Sequence, residues 1–235
     1  MTVPPIKVAT YNIRKCVGTD RRRNPERILE VLSEIDADII ALQEADRRFG
    51  NRMSAIPYHL LLEQGTYRPV EIGGRPQSIG WHGNALLVKR GIEVRHSEIV
   101  PLPTLEPRGA VLAELLLNGA PLRVIGTHLD LSGLWRRRQI RALLARLDGA
   151  AHHIPTVLMG DFNQWSDRGA LSEFAFHHHR LVKTPPSFHS TRPVARLDRI
   201  IVSHDIMVEN SGAHISDLSK RASDHLPLWA TLKHA

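Results

Sequence analysis

The chain of 235 residues is 42% hydrophobic and 23% charged, a composition typical of a folded protein with a substantial core. Its single cysteine excludes an intramolecular disulfide and the usual zinc–cysteine sites, and no apolar run reaches the roughly 18 residues of a membrane-spanning helix. A formal charge of +7 leaves two interpretations open: a polyanionic partner, either nucleic acid or anionic lipid headgroups, or a basic surface without such a partner.

Short apolar segments alternate with helical patterns along the chain. The segments 7–13 and 38–44 are predicted strands, and they flank a helix with Asn24 as its N-cap and Pro25 as its first residue. Asn118-Gly119 between two apolar runs predicts a hairpin within 109–129. The other predicted elements are strands at 84–90, 156–161, 196–203 and 226–232, a basic amphipathic helix at about 135–147 and a helix around 169–176.

Strand–helix–strand units mixed with hairpins predict an α/β or α+β fold with mixed sheets. Because no linker-like change of composition interrupts the chain, we expect a single domain over residues 1–235. The N-terminal segment lacks the basic and apolar regions of a signal peptide, so we expect a cytoplasmic protein, and we expect it to be a monomer.

Polar side chains stand where the predicted strands end and, in the last strand, where it begins. If that last strand runs antiparallel to the others, all of these side chains reach one edge of the fold, where ligand sites of open α/β sheets gather. Each residue alone has a structural alternative, such as a turn, a surface charge or a hydrogen-bonded histidine. Chance seldom ends so many apolar strands in this way. The side chains are Asn12, Glu44, His128, Asp161, Asn163, Asp224 and His225.

The residue types in this set predict a reaction class. Carboxylates such as Glu44 and Asp224 are hard oxygen ligands that suit Mg²⁺ or Mn²⁺ better than zinc. Amides and imidazoles can hold phosphate oxygens and stabilise charge in the transition state. A further carboxylate can orient or deprotonate a water molecule. Together they describe metal-assisted hydrolysis of a phosphoester.

The motifs YNI, ALQE, GTHL, GDFN, RLDRI and SDHLPL occur in this order between residues 7 and 232. In this arrangement the sequence resembles the endonuclease/exonuclease/phosphatase superfamily, which includes DNase I, exonuclease III-type AP endonucleases, inositol polyphosphate 5-phosphatases and bacterial sphingomyelinases. The resemblance implies a four-layer α-β-β-α sandwich with two packed mixed β-sheets and a site at one end. It also implies a hydrolase that uses Mg²⁺ or Mn²⁺.

The resemblance further implies a role for each motif residue. Glu44 is the main metal ligand, with Asn12 and Asp224 as ligands or water-mediated contacts. Asp161 orients or deprotonates the attacking water, and Asn163 holds the scissile phosphate.

Two histidines complete the implied site. His225 contacts a phosphate oxygen and is paired with Asp198, and His128 stabilises the pentacovalent transition state or the leaving group. An imidazolium beside a carboxylate keeps its proton, which supports the pairing independently. Arg14 and Arg108 are candidate bidentate phosphate contacts, with a solvated or structurally paired arginine as the alternative.

The substrate is less defined than the reaction. The basic charge favours a nuclease, and the alternative is a phosphatase or a phospholipase- or sphingomyelinase-like phosphodiesterase. The stretch QWSDRGALSEF after GDFN departs from the AP endonucleases, and the sequence is typical of a small bacterial branch of the superfamily. The arginine runs at 21–23 and 136–138 either contact phosphates or form solvated faces. A catalytically inactive binding module is the alternative from another class.

Overall fold

The computed structural model describes residues 4–47, 53–73, 77–105, 108–150 and 152–234. The strands in these ranges are β1 (Ile6–Asn12), β2 (Ile39–Gln43), β3 (Tyr67–Pro69), β4 (Ala85–Lys89), β5 (Glu93–Pro101), β6 (Gly109–Leu117), β7 (Ala120–His128), β8 (Thr156–Asp161), β9 (His179–Leu181), β10 (Asp198–Ser203), β11 (Ile206–Ala213) and β12 (Leu228–His234). The α-helices are α1 (Pro25–Ile35), α2 (Tyr58–Gln64), α3 (Gly133–Asp148), α4 (Glu173–Phe176) and α5 (Asp217–Ala222).

The strands form two six-stranded sheets. The first has the order β11-β12-β1-β2-β4-β3, and the second has the order β5-β6-β7-β8-β10-β9. Each sheet contains one parallel pair, β1 with β2 and β7 with β8, among antiparallel neighbours. The prediction of two packed mixed sheets is confirmed.

Apolar side chains bury both faces of both sheets, and this arrangement produces four layers. Val8, Ile39, Val111 and Ile200 belong to the core between the two sheets. The outer face of the first sheet packs against α1, α2 and α5, and the outer face of the second packs against α3 and α4. The central strands are therefore shielded from water on both sides, which explains their nearly continuous apolar runs.

Helix α1 begins where its sequence predicts. The Asn24 side chain accepts a hydrogen bond of 2.7 Å from the backbone N–H of Arg27, and Pro25 occupies the first turn. Asp36 ends the helix in a left-handed conformation with φ of 48°. The turn between β6 and β7 also has the predicted form, because Asn118 and Gly119 both adopt positive φ, as a two-residue hairpin loop requires.

Predicted and observed elements differ mainly at the sheet edges. The strands missing from the prediction are β3, β5, β9 and β11, which are the edge strands of the two sheets. Edge strands are short or carry polar residues on an exposed face, so they lack a clear apolar pattern. The predicted helix at 169–176 is a 3₁₀ turn at Gly169–Ser172 followed by the four-residue α4. None of the helices in the described ranges has the length and apolar character needed to span a bilayer.

Candidate active site

Strand ends from both sheets meet at one end of the sandwich. In the first sheet β1 and β2 run parallel and end there, whereas β12 pairs antiparallel with β1 and therefore begins there, as predicted. In the second sheet His128 at the end of β7 lies beside Asp161 at the end of β8, and Asp198 at the start of β10 pairs with Asp161. Strand direction alone thus brings polar side chains from six strands to one edge.

The Asp161 carboxylate is the centre of this arrangement. Its Oδ2 accepts a hydrogen bond of 3.0 Å from Asn12 Nδ2 and lies 3.4 Å from His128 Nε2 and 3.9 Å from His225 Nε2. Its Oδ1 accepts a hydrogen bond of 2.9 Å from the backbone N–H of Asn163. The side chain is only 2% exposed. The carboxylate is therefore fixed in position by donors from three different parts of the chain.

His225 is held by Asp198 in a buried pair. His225 Nδ1 lies 2.8 Å from Asp198 Oδ2, and the same oxygen accepts a hydrogen bond from Ser187 Oγ. Burial by itself lowers the pKa of His225, but the charge and hydrogen bond of Asp198, together with the charges of Asp161 and Asp224, raise it to about 10. The imidazole is therefore an imidazolium at neutral pH.

His128, unlike His225, is neutral at pH 7. Burial lowers its pKa to about 4, and the nearby Arg108 acts in the same direction, against the charges of Asp161 and Glu44. At pH 7 a neutral imidazole and an imidazolium thus approach the same Asp161 oxygen from two sides. Pairs of groups whose environments separate their pKa values are typical of active sites.

Glu44 follows β2 directly and has an unusual backbone conformation. Its φ of 54° lies in the left-handed region, which is strained for a residue with a side chain. Burial raises the pKa of its carboxyl, but an ion pair with Lys15, with weaker contributions from His128 and Arg108, lowers it below the usual range. The side chain therefore carries a negative charge at neutral pH although it is largely buried.

Asn12 and Asp224 lie on the same side of the site, joined through Arg14. The Asn12 Oδ1 accepts a hydrogen bond of 3.0 Å from the backbone N–H of Arg14. The side-chain Nε of Arg14 lies 3.3 Å from Asp224 Oδ2. Ser223 Oγ donates a hydrogen bond of 2.7 Å to the backbone oxygen of Asn12. Side chains that the resemblance implies as metal ligands and phosphate contacts are thus neighbours here.

The segment Gly160-Asp161-Phe162-Asn163 has a tight geometry. A Cβ atom at Gly160 would lie 1.8 Å from the backbone oxygen of Thr127 on β7, so only glycine allows β7 and β8 to approach this closely. Asn163 has a φ of 50°, and its Nδ2 donates a hydrogen bond of 2.9 Å to Leu129 O. This bond occupies one N–H of the amide, and no hydrogen bond from the second N–H is found within the described part of the chain.

Two sets of side chains in the site have the donor types of a cation site. Within the described part of the chain, Asp161, Asp198 and His225 have one donor atom each within 4.8 Å of one another. In this set the imidazole nitrogen Nδ1 already bonds to Asp198 and the ring is positively charged, which disfavours a cation. Glu44, Asp224 and the Asn12 amide supply oxygen donors at the ends of the neighbouring strands β2, β12 and β1, and this donor type matches the preference of Mg²⁺ and Mn²⁺.

Sequence reasoning missed two residues at this site. Lys15 forms the ion pair with Glu44, and Ser187 bonds to Asp198. Lys15 lies within three consecutive residues of positive φ, Arg14 to Cys16, and no glycine marks this turn in the sequence. The signal that could have identified Lys15 is its position three residues after Asn12, in a segment that already carries two candidate residues.

Solved structures with the same fold come from several organisms. An endonuclease/exonuclease/phosphatase from Bacteroides vulgatus is 17% identical, with 99% of this chain and 100% of that chain covered and a TM-score of 0.78. The human Nocturnin catalytic domain with bound sulfate anion is 24% identical, with 99% and 96% covered and a TM-score of 0.75. D. rerio TDP2 complexed with single-strand DNA product is 17% identical, with 97% and 99% covered and a TM-score of 0.75.

At these identities the structural similarity shows the fold alone. No curated protein sequence matches the chain significantly. A family model described as Endonuclease/Exonuclease/phosphatase family matches residues 9–225, which include the candidate site residues from Asn12 to His225. The chain therefore belongs to the endonuclease/exonuclease/phosphatase family.

Proposed function

We propose that the protein is a Mg²⁺- or Mn²⁺-dependent phosphodiesterase. The observation that carries this proposal is the buried Asp161 carboxylate, which lies between a neutral His128 and a charged His225. The site thus combines a base (the carboxylate), a neutral imidazole that donates a hydrogen bond, and an imidazolium that carries a positive charge. Hydrolysis of a phosphodiester by water uses all three.

Asp161 orients and deprotonates the attacking water. Its Oδ2 is held by Asn12 and its Oδ1 by the backbone of Asn163, so the carboxylate keeps one orientation. Asn163, with one amide N–H unoccupied by Leu129, holds a non-bridging oxygen of the scissile phosphate. General base catalysis of this kind contributes about 10²–10⁴-fold to the rate.

The two histidines stabilise charge on the phosphate. His225, protonated through Asp198, donates a charged hydrogen bond to a phosphate oxygen. His128 is neutral and donates a hydrogen bond to the developing transition state or to the leaving oxygen. Arg14 forms an ion pair with Asp224, and the charge of Arg108 lowers the pKa of Glu44, so both arginines are candidate contacts of the phosphate.

Glu44, Asn12 and Asp224 would hold the divalent cation. Their oxygen donors fit Mg²⁺ or Mn²⁺, and Glu44 remains ionised despite its burial because a cationic group, Lys15, accompanies it. When bound, the cation would supply positive charge to the phosphate oxygens. Lys15, which pairs with Glu44, would then be available to contact the substrate phosphate.

Nucleic acid is the first candidate substrate. The formal charge of +7 favours a polyanion, and one of the similar structures, TDP2, is complexed with single-strand DNA product. A phospholipid is the second candidate, and it is favoured by a specific observation: Leu131, Leu134 and Trp165 are more than 60% exposed on segments that follow the catalytic strands.

Hydrolysis by the purified protein tests the proposal. Plasmid DNA, single-stranded DNA, RNA, a bis-aryl phosphodiester, sphingomyelin and phosphoinositides are each incubated with Mg²⁺, Mn²⁺ or EDTA. We expect cleavage of at least one phosphodiester, abolished by EDTA and reduced about 10²-fold or more in Asp161→Asn.

A matched variant separates catalysis from folding. Asp205 lies just beyond the opposite end of β10 and is hydrogen bonded to Ser203 and His153, so Asp205→Asn removes a charged and bonded aspartate far from the site. This variant should retain activity. Cleavage that persists in EDTA, or that Asp161→Asn leaves unchanged, would refute the proposed mechanism.

A further inference from the structure

Three large apolar side chains are exposed beside the active site. Leu131 is 67% exposed, Leu134 is 62% exposed and Trp165 is 68% exposed. Single exposed apolar residues are common on protein surfaces and do not indicate a binding site on their own. These three, called the apolar rim below, lie on two short segments that directly follow the strands ending in His128 and Asp161.

Contacts within the site place the two segments next to each other. Asn163 Nδ2 donates a hydrogen bond of 2.9 Å to Leu129 O, which ties the segment after β8 to the segment after β7. Leu131 lies two residues beyond Leu129, and Trp165 lies two residues beyond Asn163. Since two residues span at most about 7 Å, both side chains originate close to this hydrogen bond.

The segment that carries Leu131 is fixed by hydrogen bonds. The Arg136 guanidinium donates to the backbone oxygens of Asp130 and Leu131. The Asp130 N–H donates to Gln139 Oε1 over 2.9 Å, and Asp130 Oδ1 accepts from the Ser132 N–H over 3.1 Å. These hydrogen bonds hold the backbone at Leu131 in a conformation that leaves its apolar side chain exposed to solvent.

Exposed arginines lie on the same two segments as the apolar rim, together with the exposed Asp167, which pairs with Arg196 and Arg199. Arg137, Arg138 and Arg141 lie on the first turns of α3, which begins between Leu131 and Leu134, and Arg168 is exposed three residues after Trp165. Arg138 lies over the ring of Trp135 at 4.9 Å. Glu173 is the carboxylate that pairs with Arg137 and Arg141, so these two arginines retain a net positive charge with it.

Apolar side chains bordered by arginines match the interface of an anionic membrane. Leucine and tryptophan side chains enter the headgroup region, and arginines bind the lipid phosphates. A single-stranded nucleic acid could stack a base on Trp165, but a leucine has no aromatic face, and the rim contains two of them. The combination thus favours a bilayer surface over a nucleic acid.

We propose that the apolar rim of Leu131, Leu134 and Trp165 docks on anionic phospholipid membranes, with Arg137 and Arg138 contacting lipid phosphates. Docking in this orientation turns the open end of the sandwich, with Asp161 and Asn163, toward the lipid. The inference goes beyond the proposed function, because it concerns where the protein binds and does not depend on which phosphodiester it cleaves.

Vesicle binding tests the proposal without catalysis. The full chain is sedimented in EDTA with vesicles of phosphatidylcholine alone or of phosphatidylcholine with phosphatidylglycerol. We expect binding to the anionic vesicles, weakened about tenfold by each of Leu131→Ser and Leu134→Ser and about a thousandfold or more by the triple variant that also carries Trp165→Ser. Because EDTA prevents metal-dependent hydrolysis, failure of the proposed function and failure of docking give separate results.

Matched variants control for a general loss of surface hydrophobicity. Phe176, Met207 and Ile215 are 81%, 54% and 59% exposed at other places on the fold, and serine at these positions should change vesicle binding by less than about twofold. Unfolding of every variant in urea verifies that its fold is intact. Since the control residues are also more than half exposed, an equal loss of vesicle binding in both sets would mean that the position of the rim beside the active site has no role.

Two further measurements separate the lipid from a nucleic acid. The double variant with Arg137→Gln and Arg138→Gln should lose the preference for vesicles that contain phosphatidylglycerol. Brominated lipids should quench the fluorescence of Trp165, which is measured as the difference between the wild-type protein and Trp165→Phe. The proposal is overturned if the wild-type protein does not bind anionic vesicles or if the triple variant binds them unchanged. If the triple variant loses affinity for a single-stranded oligonucleotide but binds vesicles like the wild-type protein, the rim is a nucleic-acid contact instead.

Discussion

Asp198→Asn tests the charge state of the active site directly. The pKa of His225 is about 10, compared with an ordinary value of 6.5. This difference of about 3.5 pH units corresponds to roughly 5 kcal/mol of preference for the charged imidazole, at about 1.4 kcal/mol per pH unit. Asp161 and Asp224 contribute to it, but Asp198 is the only one of the three that bonds to the ring, at 2.8 Å.

We expect the pKa of His225 to fall by about two pH units or more in Asp198→Asn, because an amide keeps the shape but not the charge. The assay is an NMR titration of the histidine rings in EDTA, with the His225 signals assigned from their loss in His225→Gln. Ser187→Ala is the matched control: it removes a hydrogen bond to Asp198 and leaves the charge, so the pKa of His225 should change by less than about one pH unit.

Protein stability provides a second measurement of the same pair. His225 has a higher pKa in the folded protein than in the unfolded chain, so its contribution is complete below pH 6.5 and is lost as the pH rises through about 10. The difference in unfolding free energy between the wild-type protein and Asp198→Asn should therefore be largest at pH 6 and shrink steadily toward pH 10 in urea titrations without metal. A difference that does not vary with pH, or a His225 pKa that stays above 9 in the variant, would refute this account.

Three other substitutions or probes give sharp expectations. Gly160→Ala should lower the unfolding free energy by about 3 kcal/mol in urea titrations, because its Cβ would meet Thr127 O at 1.8 Å; a loss below about 1 kcal/mol would contradict this. Lys15→Met should raise the affinity for Mn²⁺ at least about tenfold in calorimetry, since it removes the ammonium paired with Glu44, and unchanged affinity would place the cation elsewhere. Cys16 is fully buried and its thiol pKa is raised to about 12, so a thiol reagent at pH 8 should react with it only after unfolding, and rapid reaction in the native protein would disprove that burial.

The sequence predicts the centre of this fold better than its margins. Strands buried on both faces have continuous apolar runs, and the eight central strands are found from these runs. Edge strands such as β5 alternate between half-buried and exposed positions, and they are stabilised by pairing with a neighbour that the local sequence does not encode. The capped start of α1 and the Asn118-Gly119 turn are predicted because their signals are local.

The site residues also divide into those that the local sequence reveals and those that it does not. Asn12, Glu44 and Asp161 are recognisable because each interrupts an apolar strand with a polar residue. Lys15 and Ser187 reach the site through irregular backbone, and their partners lie 29 and 11 residues away. No spacing rule connects such pairs, so the folded chain is needed to show which residue each of them contacts.

Because the catalytic end draws on both sheets, its assembly depends on the slowest contacts of the chain. Asn12 and Asp161, which share a hydrogen bond, are 149 residues apart, and Asn12 and Ser223 are 211 residues apart. Contacts of such sequence separation form late in folding, after the local hairpins and helices. Neither half of the chain holds a working set of residues, so a partly folded molecule has no catalytic centre. The rate at which hydrolysis recovers during refolding therefore reports when the two sheets pack together, and it does not report the earlier formation of hairpins and helices.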